Sequence, residues 1–76
     1  MMQMEESQFV ICLSNNGYPA SLEPRKVYRR LPDARAESHH LLRVVDESGE
    51  DYLYPIGFFA PINLPQDTVE ALGLAA

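Results

Sequence analysis

The sequence has no tryptophan, a single cysteine and only four glycines. With Cys12 alone, no intrachain disulfide can form and no cysteine–histidine zinc cluster can be assembled, so the fold has to rest on packing. No apolar run approaches the roughly 20 residues that cross a bilayer. The longest are Phe9 to Leu13 and Ile56 to Ile62. Met1-Met2-Gln3-Met4-Glu5-Glu6 has neither the basic start nor the apolar centre of a signal peptide. Small domains without disulfides are unusual among secreted proteins, so a cytoplasmic address with no membrane contact is expected.

Positive charge is scarce and unevenly placed. There are 6 Lys+Arg against 11 Asp+Glu, a net charge of −5, which argues against a general affinity for nucleic acid because phosphate binding needs a basic surface. Every base (Arg25, Lys26, Arg29, Arg30, Arg35, Arg43) lies between positions 25 and 43. Beyond Arg43 stand Asp46, Glu47, Glu50, Asp51, Asp67 and Glu70 with no base among them, so two surfaces of opposite sign are expected.

What is present suits one small globular domain. In 76 residues, 46% are hydrophobic and 22% charged, enough apolar content for a core and too much for a disordered chain. Residues 1–7 show no periodic pattern and are read as a flexible leader. Gln8 to Ser14 is β-branched and aromatic, predicting a strand with Phe9, Ile11 and Leu13 on one face and Val10 and Cys12 on the other. Residues 15–24 are dense in turn formers and read as a long loop, a tight hairpin at Asn16-Gly17 being the rival. Lys26 to Leu31 is a second strand stopped by Pro32, and Asp33 to His40 a structured loop with at most one exposed helical turn. Leu41 to Asp46 is the clearest core strand; after the turn Glu47-Ser48-Gly49-Glu50-Asp51, Tyr52-Leu53-Tyr54 returns as its hairpin partner. Pro55 ends that strand, Ile56-Gly57-Phe58 makes one tight turn, and Phe59 to Leu64 supplies a fifth strand. Pro65 to Leu72 has the proline and acids of a helix start, with Gly73 as its stop.

Five short strands with marginal helices predict an all-β fold: a small five-stranded barrel over 8–64, with a 3-10 turn before the last strand and a short C-terminal helical turn within 65–76. An open meander is the alternative. The run Tyr54-Pro55-Ile56-Gly57-Phe58-Phe59-Ala60-Pro61 resembles the end of SH3 domains, where a proline precedes a one-turn 3-10 helix, an aromatic residue and the last strand. Ser21 to Val27 is similar to the end of the long first SH3 loop, and Arg43 to Tyr54 to the distal hairpin. The resemblance spans Phe9 to Ile62 and implies an SH3-like barrel. The tryptophan and paired tyrosines of the SH3 peptide groove are missing, so recognition of proline-rich peptides is not carried over. Leu42 to Pro55 also resembles a family of small uncharacterised bacterial proteins, which implies a bacterial origin.

Among chemistry-bearing residues, His39-His40 reads as a solvent-exposed pair, since adjacent histidines point apart and no ligand stands at metal spacing. Cys12 reads as an inert, half-buried strand thiol. Glu47, Glu50 and Asp51 crowd one turn but lack the alternating acidic positions of a calcium loop. A small barrel has almost no interior to spare for a substrate. No cofactor, no metal and no catalytic activity are therefore expected. The aromatics are the remaining candidates: Phe9, Phe59 and one hairpin tyrosine are assigned to the core, and a recognition patch is expected at Tyr18, Tyr52 or Tyr54. Arg29 and Arg30 beside Tyr28 extend that candidate surface. The first expectation is a protein-interaction module that meets a partner protein or a second copy of itself. The second is a nucleic-acid-binding barrel using Arg25, Lys26, Arg29, Arg30 and Arg43.

Overall fold

The computed structural model describes residues 8–73; the expected leader at 1–7 lies outside them. The fold is all-β, a five-stranded antiparallel sheet with two short helices and one 3-10 turn. The strands are β1 (Phe9–Cys12), β2 (Val27–Leu31), β3 (Leu41–Val45), β4 (Asp51–Pro55) and β5 (Phe59–Ile62), in spatial order β4-β3-β2-β1-β5. Helix α1 (Ala34–Ser38) joins β2 to β3, the 3-10 turn Ile56–Phe58 joins β4 to β5, and α2 (Gln66–Ala71) follows the sheet.

Register follows from alternation. Val10 stands opposite Tyr28, Arg30 opposite Val44, Leu42 opposite Tyr54 and Cys12 opposite Phe59. Period-2 geometry sends all of these to one face, and all are buried. The core face of β1 is thus the Val10 and Cys12 side. Phe9 is buried on the opposite face, while Leu13, beyond the strand, is 60% exposed. Cys12 is fully buried rather than half-buried. Its thiol donates to the Ser14 carbonyl, and burial pushes its pKa up.

The sheet is open, which corrects the expectation of a closed barrel. β4 and β5 form its two edges and do not pair with each other. Three residues of 3-10 turn carry the chain from one edge to the other, and each edge holds a proline, Pro55 in β4 and Pro61 in β5, with no N–H to give to a closing ladder. The long loop seals the core instead: Leu22 is only 1% exposed and joins the core cluster of Val10, Cys12, Tyr28, Leu42, Val44, Tyr54 and Phe59. Hydrogen bonds hold the loop down, from Asn15 Nδ2 to the Leu22 carbonyl at 3.1 Å and from the Glu47 amide to the Ser21 carbonyl at 3.0 Å.

Between β2 and β3 the chain makes a capped turn of helix, with the Ala36 amide donating to Asp33 Oδ1 at 3.0 Å. Ala36 is buried, so this segment is packed against the sheet rather than wholly exposed. Gly49 supplies the positive φ, 84°, of the β3–β4 turn.

Candidate functional site

Of the cysteine, histidine, carboxylate and aromatic candidates, only the aromatics converge. Tyr18 comes from the long loop, Tyr52 and Tyr54 from β4, and together with Ser21, Asp46, Ser48 and Leu53 they line a groove of about 390 Å³. Tyr18 packs edge-on to Tyr54, with centroids 4.9 Å apart and planes at 89°, an arrangement favoured by the ring quadrupoles. Tyr18, Tyr52 and Leu53 remain 40%, 50% and 38% exposed. Tyr54 is 3% exposed and forms the floor, correcting the expectation that it stands on an exposed patch. The physical reason is register: opposite Leu42, its ring points into the core.

One buried carboxylate organises the site. Asp46 follows β3 on its core side and is 6% exposed. Its Oδ2 accepts a hydrogen bond from the Tyr54 hydroxyl. Its Oδ1 accepts from the Ser48 amide at 2.9 Å and the Ser48 hydroxyl at 2.5 Å. Burial pushes the Asp46 carboxyl up, but the bonds from Ser48 and Tyr54 outweigh it and leave the group below its ordinary range. The Tyr54 phenol is pushed up to about 12, by burial first and by Asp46 second.

A second pair sits behind the first. The Tyr28 hydroxyl donates to Glu47 Oε2 and accepts from the Glu23 amide at 2.7 Å, while Lys26 Nζ lies 2.7 Å from Glu47 Oε2. Asp46 and Glu47, adjacent in sequence, thus clamp two core tyrosines at one end of the sheet. In the sequence Asp46 reads as the end of the core strand and Glu47 as part of a turn; the pattern of tyrosine at 28 and 54 carries no sign that either ring reaches them.

The basic residues do not assemble. Arg29 and Arg30 point to opposite faces of β2, so they do not form one surface. Arg30 is 4% exposed, with its Nη2 2.6 Å from Glu37 Oε2. Arg43 bridges Asp33 and Asp51, each at 2.9 Å. His39 and His40 are exposed, and among the described residues no three His, Cys, Asp or Glu side chains are grouped to hold a metal ion. Among the same residues no helix is long and apolar enough to cross a membrane.

The class that fold and site define is therefore a small open-sheet β domain with a tyrosine-lined groove beside one edge strand. Comparison with protein-family models, curated proteins and solved structures finds no match to the chain.

Proposed function

We propose that the protein is a non-catalytic interaction module that contacts a partner protein through the groove of Tyr18, Tyr52, Leu53 and Tyr54. The observation that carries this reading is the meeting of Tyr18 with the β4 tyrosines across more than thirty positions of sequence, with two of the three rings left accessible. Tyrosine combines a large apolar body with a polar tip and is favoured at recognition surfaces. The groove lies at the edge strand β4, along whose outer side no other strand pairs among the described residues. An incoming segment there meets backbone hydrogen-bonding groups as well as rings. Two carboxylates of the region, Asp46 and Glu47, are occupied in accepting from the hydroxyls of Tyr54 and Tyr28.

The test is affinity capture from source cells with the full chain and with a Tyr18→Ala, Tyr52→Thr double variant that keeps a β-former at position 52. The expected result is a protein retained by the parent chain and lost with the variant. Equal recovery by both, or no protein above background, overturns the reading.

A further inference from the structure

We propose that the occupant of the tyrosine groove is a cationic side chain, an arginine or a lysine, presented by an extended segment of the partner protein. This rests on the interaction reading above and names the chemistry that the same site selects. Three features of the groove converge on it.

The first is the aromatic surface. A cation is attracted to the negative face of an aromatic ring within about 6 Å of its centroid. Tyr54 lies at the floor with Tyr18 packed edge-on to it, and Tyr18 and Tyr52, 40% and 50% exposed, are the rings within reach of an entering cation.

The second is charge. The groove is lined by one carboxylate, Asp46, and by no lysine or arginine. At its mouth Glu50 Oε1 lies 3.4 Å from the Tyr52 hydroxyl. The Glu50 charge first, then burial, and also the charges of Asp46 and Asp51 hold the Tyr52 proton on, so the potential at the groove mouth is negative. Nearby positive groups are committed elsewhere: Arg43 to Asp33 and Asp51, Lys26 to Glu47. A cation entering the groove finds uncompensated negative potential, and an anion is repelled.

The third is the division of labour between the two acids. Asp46 already accepts from the Ser48 amide, the Ser48 hydroxyl and the Tyr54 hydroxyl, so it contributes charge from beneath rather than a direct bond. Glu50 is exposed at the rim and is the carboxylate placed to receive the N–H groups of a guanidinium or ammonium. The extended form of the segment follows from the open outer side of β4.

A display library of random peptides, selected on the full chain and counter-selected on the Tyr52→Thr variant, tests the proposal. The expected result is enrichment of arginine or lysine at one fixed position. A selected peptide is then resynthesised with citrulline in place of arginine, or with norleucine in place of lysine, and titrated calorimetrically. The neutral version is expected to bind at least about tenfold more weakly, the size of a well-placed cation–aromatic contact assisted by charge. Glu50→Gln is expected to weaken the cationic peptide and leave the neutral one unchanged, and added salt to weaken only the cationic one. Peptides that depend on Tyr52 but bind equally well when neutral overturn the cationic inference and leave the interaction reading standing. Failure to enrich any peptide that distinguishes the parent from the Tyr52→Thr variant overturns both.

Discussion

The hydroxyl of Tyr54 donates to the carboxylate of Asp46 inside the core, joining the end of β4 to the end of β3 across the hairpin that separates them. Both residues are almost wholly removed from water, at 3% and 6% exposure. A hydrogen bond to a charged group at such a site contributes about 1.5–3 kcal/mol, and removing only one partner leaves the other buried without its bond. Tyr54→Phe is therefore expected to destabilise the fold by about 2 kcal/mol, because it strands a buried carboxylate oxygen. Asp46→Ala is expected to cost more, since it also releases Ser48. Urea denaturation checks both, and the double variant is expected to cost less than the sum of the two singles.

The Arg30–Glu37 pair places a guanidinium inside the sheet, with side-chain exposures of 3% and 18%. Removing the acid leaves a buried charge, so Glu37→Ala is expected to cost about 3 kcal/mol, whereas Arg30→Met with Glu37→Leu together are expected to be far milder. The midpoints of guanidinium or urea unfolding decide it. A Glu37→Ala variant as stable as the parent would show that Arg30 does not depend on this acid.

His40 adopts φ 61° immediately after α1, in the left-handed region that glycine occupies freely. Its carbonyl accepts from the Ile56 amide at 3.0 Å and its side chain is exposed, so only the backbone conformation is at stake. His40→Gly is expected to raise stability by up to about 1 kcal/mol and His40→Val to lower it by more. Thermal unfolding of the two variants beside the parent measures the difference.

Three carboxyls set the acid limb of stability. Asp33 is held below its ordinary 3.8 by the Ala36 amide and by Arg43, Glu47 below 4.5 by Lys26 and Tyr28, and Asp46 below 3.8 by Ser48 and Tyr54 against the opposing effect of burial. A carboxyl depressed in the folded state adds stability above its unfolded pKa and loses it as pH falls through the folded value. Tm is expected to stay level down to about pH 5 and to fall steeply below about pH 4. At the alkaline end the sign reverses. Tyr54, raised from 10.0 to about 12, contributes fully below pH 10.0 and its contribution is lost as pH climbs toward 12. Tyr28 is raised as well, by burial and then by Glu47. Tyrosinate absorbance from these two phenols is expected to develop only well above pH 10, and Tyr54→Phe is expected to remove part of it.

Much of the architecture could be read directly from local pattern. Pro32 marks the end of β2, Ile56 to Phe58 the 3-10 turn before the last strand, and Glu47 to Glu50 the hairpin turn, while β4 runs one residue further at each end than expected, taking in Asp51 and Pro55. The five strands and the short last helix follow from the same signals. Closure could not be read, because it depends on whether the two edges β4 and β5 meet, and local pattern does not report the pairing of distant edges. Leu22, surrounded in sequence by Pro, Ser and Glu, gave no sign that it would be among the most buried side chains. Arg30 was equally opaque: Val27 to Leu31 alternates without a clean apolar face, and only α1 brings Glu37 to meet the guanidinium. For the groove, residue type singled out Tyr18, Tyr52 and Tyr54. Which ring forms the floor depends on the pairing of Tyr54 with Leu42, a matter of register.

A sheet with two unpaired margins can in principle grow by adding copies of itself without limit. Here each margin carries its own stop. β5 includes Pro61, which has no N–H to offer, while β4 opens on the charge of Asp51 and closes on Pro55 after five residues. The proline in each margin and the charge at the head of β4 interrupt the ladder that either edge could offer to another strand.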